Sequence, residues 1–325
     1  MSRTIIIGTG SALPERVLTN LDLEKLVDTT DEWITTRTGI KTRRIAGPGE
    51  NTSNLASRAA REALAMARLT PADLDMIIVG TITPDMTMPS CACLVQKELG
   101  ACNAFAFDLN AACSGFLYSL DVADKYLRAS PAMKILVAGA ETLSSRVNWQ
   151  DRNTCVLFGD GAGACVVTGG ETERGILGSR LFADGSLWEL LHMEAAPSQN
   201  PELRRPEQED GCIRMVGREV FKNAVRAMAS AIRQVLAQEG VEAERLALVI
   251  PHQANIRILQ SLADHLALPM EKIYVNVDKY GNTSAATIPI AIDEANRAGR
   301  LRDGDLLLLC SFGGGFTWGA TLIRW

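Results

Sequence analysis

Short apolar runs alternate along the chain with stretches of helical period, the pattern of an α/β layer protein. Strands are predicted at 4–8, 76–81, 104–108, 134–138, 162–168, 246–250, 272–277, 305–310 and 318–323. Between the first two, Leu55, Ala59, Ala63 and Ala67 fall four apart. So narrow a stripe of small residues lets a helix lie close against a sheet.

The order of elements repeats. Helix, loop and apolar strand at 54–81 resemble helix, loop and apolar strand at 221–250. In the first half the strand 104–108 runs through Asn110, Ala111, Ala112, Cys113, Ser114 and Gly115 into a helix; in the second, 272–277 runs through Tyr280, Gly281, Asn282, Thr283 and Ser284 into another. Cys113 and Asn282 are therefore expected at equivalent strand-to-helix corners. Two halves, 1–172 and 173–325, packed face to face would bring both corners and the His252 loop to one buried site.

Composition narrows the function classes. A chain of 325 residues, 47% hydrophobic and 22% charged, has enough length for a substantial core and is neither disordered nor fibrous. A net charge of −5 speaks against a general nucleic-acid binder, so a phosphate-bearing ligand must meet local basic residues. The eight cysteines are scattered, and only Cys91 and Cys93 stand close, with no histidine spaced to complete a zinc site. Reduced thiols in a cytoplasm and no metal are expected. The apolar run at 5–7 is too short for a signal peptide. The uncharged stretch 306–323 is broken by Gly313, Gly314, Gly315 and Gly319 and reads as two strands around a loop rather than a membrane span.

Cys113 is the leading chemical candidate, because a helix start favours the thiolate. Its alternative is a small buried hydrophobe. His252, after an apolar strand in Pro-His-Gln-Ala-Asn, stands where functional side chains are often presented, or is structural. Asn282 in Gly-Asn-Thr-Ser-Ala-Ala is otherwise a helix cap. Gly159 to Gly163 read as a packing turn, since no lysine follows to make a phosphate loop.

Together, Cys113 in Ala-Ala-Cys-Ser-Gly, His252 and Asn282 closely resemble the Cys-His-Asn set of the β-ketoacyl-ACP synthase III family, condensing enzymes of thiolase fold. Asp31 to Ile34, Arg37 to Ile40, Phe158 to Ala164 and Phe312 to Gly319 extend the likeness over nearly the whole chain. The resemblance implies two similar halves in a five-layered αβαβα sandwich, a homodimer, and no cofactor beyond an acyl-CoA substrate. Cys113 would carry an acyl group from acyl-CoA in a ping-pong scheme, and His252 and Asn282 would donate hydrogen bonds as malonyl-ACP loses carbon dioxide. Backbone N–H groups of Cys113 and Gly314 would form the oxyanion hole. Trp33, Arg37, Arg152 and Asn255 match CoA contacts. Arg218, Lys222 and Arg257 are the expected docking residues for the acidic carrier protein, although Ala263, Asp264 and His265 depart from the lysines usual on that helix. Met88 and Phe312 are expected at the acyl pocket; a flexible methionine predicts primers beyond acetyl. The segment from Leu187 to Gly211 is expected to shape the acyl tunnel. A thiolase would need a second cysteine at Ser311, while Cys310 points to the opposite face. A specialised acyltransferase or a non-catalytic partner of the same fold is the other rival. His192 and His265 are expected in solvent, and Cys91, Cys93, Cys102, Cys155, Cys165 and Cys212 as small packed side chains.

Overall fold

The structure is a computed structural model and describes residues 2–194 and 211–325. The first sheet holds β1 (Arg3–Ala12), β2 (Met76–Gly80), β3 (Phe105–Leu109), β4 (Lys134–Thr142) and β5 (Asp160–Gly170), in the order β1-β5-β4-β2-β3. The second holds β6 (Gly175–Ala183), β7 (Leu248–Pro251), β8 (Leu306–Gly313) and β9 (Thr317–Arg324), in the order β7-β8-β9-β6. Pairing is parallel for β2 with β3 and β4, and for β7 with β8; it is antiparallel elsewhere in both sheets. Each sheet thus repeats one topology.

Helices fill the remaining layers: α1 (Asp31–Thr38), α2 (Thr52–Ala67), α3 (Cys91–Leu99), α4 (Gly115–Ala129), α5 (Gly217–Glu239), α6 (Ile256–Leu266) and α7 (Thr287–Arg297). α2 and α3 cover the outer face of the first sheet, α5 and α6 lie on the side of the second, and α4 with α7 form the middle layer between the sheets. The result is a five-layered αβαβα sandwich of thiolase type. The small-residue stripe does what its spacing predicts: Leu55, Ala59 and Ala63 are buried, and a Cβ on Gly8 or Gly10 would fall 2.1 Å from the Ala63 carbonyl oxygen or 2.2 Å from that of Ala59. Such contact needs glycine on the strand and alanine on the helix.

Several elements differ from the sequence reading. The strand expected at 272–277 shrinks to one bridge, Ile273 to Val249, before a short helix Val277–Tyr280. Asn276 and Tyr280 turn their side chains to the Glu294 carboxylate, so local side-chain bonds replace a ladder. The strand β6 was not foreseen, its glycines and Arg180 masking the alternation. Gly159 to Gly163 are packing glycines as expected, but most belong to β5 rather than a turn. Cys93 and Cys102 are exposed, contrary to expectation, while Cys91, Cys155 and Cys165 are buried and Cys212 is half-buried. His265 is exposed; His192 is half-buried, edge-on to Trp188 at 5.3 Å. Part of the expected tunnel segment, 195–210, lies outside the described residues.

Candidate active site

The C-terminal ends of β7 and β8 build one wall of the site. Pro251 is in register with Cys310, and the His252 N–H donates to the Cys310 carbonyl at 2.8 Å. One residue along β8, the Ser311 hydroxyl donates to the Cys113 carbonyl at 2.8 Å. Beyond it, a Cβ on Gly313 would stand 2.6 Å from the Cys113 backbone nitrogen. Only glycine leaves space before that N–H. Thr317 bonds the Ala111 carbonyl at 2.7 Å and the Gly314 carbonyl at 3.1 Å, so the Cys113 turn and the glycine loop form one rigid unit.

Cys113 stands within a tight turn that leads into α4, held by the left-handed Ala112 (φ 47°) and by the Asn110 side chain, which accepts from the Ala112 N–H at 3.2 Å. Asn282 is fixed in the same manner. Its Oδ1 accepts from the Ser284 N–H at 2.8 Å and its backbone pairs with Leu157 and Gly159, leaving the amide Nδ2 as its free donor group. The two corners are equivalent as expected; within them Asn282 matches Asn110, and the counterpart of Cys113 is Ala285. His252 is buried, with Nδ1 2.7 Å from the Thr287 hydroxyl. The Cys113 turn packs against the turn that follows Asn282 and against β8, the neighbour of the strand that ends at His252.

Burial governs the electrostatics. It pushes the Cys113 thiol up to about 11; the Ser284 hydroxyl pulls it down and the Glu141 carboxylate raises it. The thiolate-favouring effect expected of the helix start is therefore opposed. Burial also pulls His252 down to about 4, so the ring is neutral at neutral pH. Glu141 was missed by sequence reasoning. Its buried carboxyl accepts from Thr81 at 3.2 Å and Thr83 at 2.5 Å, and burial raises it to about 7 against those bonds. Its only signal was a lone acid ending an apolar run. Ser284 and Thr287 were also missed, although Ser284 lay within the Asn282 motif.

Trp33 on α1 is flanked by the Arg37 and Arg152 guanidinium carbons, 4.9 and 5.2 Å from its ring centroid. The Arg152 side chain is held at the Asp28 carbonyl by a 2.8 Å bond. Asn255 caps α6 by accepting from the Arg257 N–H at 2.9 Å. Arg257 in turn donates to the Thr36 carbonyl at 3.1 Å, tying α1 to the His252 loop. Arg218 and Lys222 are exposed on α5, Lys222 paired with Glu219 at 3.2 Å. Phe312 is buried against Phe316, ring centroids 4.6 Å apart. Met88 is 84% exposed. Cys310 is buried and its thiol is raised by burial, while Ser311 faces Cys113, so the position of a thiolase's second cysteine holds a hydroxyl. Among the described residues no group of three or more His, Cys, Asp or Glu is placed to hold a metal ion, and no helix is long and apolar enough to cross a membrane.

A cysteine at a helix start, packed against the corner that carries Asn282 and against the neighbour of the strand that ends at His252, in a five-layered sandwich, defines a thiolase-fold condensing enzyme. Residues 107–185 and 236–325 match the family descriptions 3-oxoacyl-[acyl-carrier-protein] synthase III and its C-terminal region. The chain is 59% identical over 321 residues to the β-ketoacyl-[acyl-carrier-protein] synthase III of Desulfotalea psychrophila, covering 99% of each. The crystal structure of 3-oxoacyl-[acyl-carrier-protein] synthase III from Aquifex aeolicus superposes with a TM-score of 0.93 at 55% identity, over 99% of this chain and 100% of that one. A priming β-ketosynthase from the R1128 polyketide pathway follows at 34% identity and a TM-score of 0.90, over 99% and 96% of the two chains. The chain belongs to the β-ketoacyl-ACP synthase III family, the acyltransferases that initiate fatty-acid synthesis by condensation.

Proposed function

We propose that the enzyme joins a short acyl-CoA primer to malonyl-ACP by decarboxylative condensation, with Cys113 as the acyl carrier and no resident cofactor. The observation that carries this reading is the Cys113 turn, bonded to Ser311 and packed on Gly313, beside the strand that ends at His252 and the corner that holds Asn282. Sγ attacks the thioester carbonyl, and the tetrahedral oxygen is met by the N–H groups of Cys113 and Gly314. CoA leaves before malonyl-ACP enters. Loss of carbon dioxide places negative charge on the malonyl thioester oxygen, where the Asn282 amide and the His252 ring donate. The resulting carbanion attacks the acyl group on Cys113.

Trp33, Arg37 and Arg152 suit a nucleotide: an aromatic face with two cations beside it for stacking and phosphate. Asn255, next to them at the start of α6, suits the pantetheine arm, and Arg218, Lys222 and Arg257 suit an acidic carrier protein. The homodimer is supported by β3, an edge strand with one neighbour and an exposed Phe105 tilted at 50° against an exposed Tyr126, ring centroids 6.0 Å apart. Met88 would then reach the partner's acyl pocket beside Phe312, where an unbranched side chain accommodates primers beyond acetyl. A cytoplasmic location accords with its free cysteines.

The test is mass spectrometry of the protein after incubation with a panel of acyl-CoAs, followed by malonyl-ACP. An adduct confined to Cys113 that discharges into β-ketoacyl-ACP is expected. A stable adduct that malonyl-ACP leaves in place would point to another acceptor, and rates falling sharply from acetyl- to butyryl-CoA would remove the broader primer range.

A further inference from the structure

The loop 81–90, between β2 and α3, is fixed at both roots and bare at its tip. β4 runs on past the end of β2, where Gly80 pairs with Gly139, so Glu141 lies beside the chain as it leaves the sheet. Its carboxyl accepts from the Ile82 N–H at 3.2 Å and meets the Thr81 and Thr83 hydroxyls at 3.2 and 2.5 Å. Thr83 also takes the Thr142 N–H at 2.9 Å, and its carbonyl accepts from the Thr52 hydroxyl at 2.6 Å. Asp85 accepts from the Ser53 N–H and hydroxyl at 3.1 and 2.6 Å. At the far root the Asp108 carboxylate accepts from the Cys91 and Ala92 N–H groups, each at 2.7 Å. Between these anchors residues 86–89 are exposed, with methionine at 86 and 88.

Glu141 holds more than the loop. The turn Ser284–Ala286 packs against β4 on one side and against the Cys113 turn on the other. The Ser284 hydroxyl is buried there and acts on both the Glu141 carboxyl and the Cys113 thiol. One carboxyl thus joins the root of a loop to the corner of the nucleophile. Burying an acid is costly unless its oxygens are bonded, and here consecutive loop residues supply those bonds. The same bonds leave the loop little freedom where it leaves the sheet.

We propose that Glu141 is a positioning residue for primer selection. By clamping 81–83 it fixes, relative to the nucleophile corner of its own chain, the loop that carries Met88 into the partner's acyl pocket. The inference rests on the placement of Met88 in the functional reading above. A loosened clamp lets Met88 yield to a longer acyl chain, so selection against long primers weakens.

The experiment compares wild type with Glu141→Gln, Thr83→Val, Thr83→Ser and Met88→Ala. Thr83→Val keeps the shape and the carboxyl but removes the hydroxyl that meets it, and it serves alone should Glu141→Gln not fold. Thr83→Ser keeps the hydroxyl. The kcat/KM values for acylation of Cys113 by acetyl-, butyryl- and hexanoyl-CoA read selection as a ratio, and urea unfolding reads the fold. Glu141→Gln and Thr83→Val are expected to raise the hexanoyl-to-acetyl ratio about three- to tenfold, with Thr83→Ser close to wild type and Met88→Ala also shifting the ratio. A wild-type ratio in folded Glu141→Gln and Thr83→Val, with Met88→Ala shifting it, would overturn the proposal and leave the placement of Met88 standing. An equal loss with all three primers would overturn it too, since Glu141 would then act on the fold or the nucleophile alone. A wild-type ratio in Met88→Ala would overturn the placement of Met88 and the proposal with it. A wild-type Cys113 that takes no acyl group at all is a separate result and would overturn the functional assignment itself.

Discussion

The two corners of the site are built on one backbone plan and differ in what they present. Ala112 and Ser284, both left-handed with φ of 47° and 49°, stand 172 positions apart (284 − 112). Each follows by two residues an asparagine that accepts its N–H, Asn110 at 3.2 Å and Asn282 at 2.8 Å. Each leads through a short tight turn into a middle-layer helix. Yet Cys113 faces Ala285, Gly80 faces His252, Gly115 faces Thr287 and Glu141 faces Gly313 across the same offset. The geometry is shared, while the nucleophile belongs to one half and its polar partners to the other. Backbone form alone therefore makes a corner, and a single side chain decides what it does.

Moving the nucleophile is the strongest way to break this comparison. Cys113→Ala is expected to leave no acyl adduct and to lower turnover by roughly a thousandfold or more, as removal of a covalent carrier does. Adding Ala285→Cys should not restore it. The position that corresponds to Gly313 is Glu141, so the Ala285 N–H has no glycine before it, and Ala285 is buried against Gly115, where a Cβ would fall 3.4 Å from the Ala285 Cβ. Peptide mass mapping after acetyl-CoA checks this, and an adduct at position 285 would show that the halves are chemically interchangeable.

The two asparagines give a smaller contrast. Asn282 is buried and turns a free amide to the pocket, whereas Asn110 is exposed and serves its turn. Asn282→Ala is expected to slow carbon dioxide release from malonyl-ACP by roughly a hundred- to a thousandfold while acylation of Cys113 persists. Asn110→Ala should cost about 1 kcal/mol of stability, read by urea unfolding, and less than tenfold in turnover. Equal losses in the two variants would mean that Asn282 acts through its turn and not through its amide.

Much of this plan was legible in the sequence, and the reason is local. Strand period, the alanine stripe of α2 and the repeated strand–corner–helix order are written in neighbouring residues, as are the motifs holding Cys113, His252 and Asn282. What escaped depends on packing between layers. The corners of Cys113 and Asn282 are equivalent, as the repeated order of elements predicts, but their residue-by-residue register is set by the left-handed Ala112 and Ser284, which carry no mark in sequence. Glu141 and Thr287 look like an ordinary strand-end acid and helix threonine until the second half closes over them. Met88 stands exposed in one chain, and the strand at 272–277 gave way to side-chain bonds from Asn276 and Tyr280 to Glu294 on α7.

The finest contrast is the acid in one half and the glycine in the other, and it is read through pH. Glu141, raised to about 7 by burial, keeps a proton in the fold that the unfolded chain has lost between about 4.5 and 7. Its contribution to stability is therefore present at low pH and is lost as pH rises through that window, by roughly 3 kcal/mol in all. His252 has the opposite sign. Lowered to about 4, it stays neutral in the fold while the unfolded chain binds a proton below about 6.5, so its contribution is lost as pH falls from about 6.5 to 4. The two slopes oppose one another where the windows overlap. Glu141→Gln removes one of them: urea unfolding should then show stability rising with pH up to about 6.5 and level beyond it, with the variant gaining on wild type as pH climbs from 5 to 8. The altered bonds to the Ile82 N–H and the two threonine hydroxyls move the whole variant curve by a constant amount and leave this pH-dependent gain unchanged. Parallel curves for wild type and variant would mean that the carboxyl is ionised in the fold across this range, and that the Cys113 thiol faces a fixed negative charge rather than a titrating one.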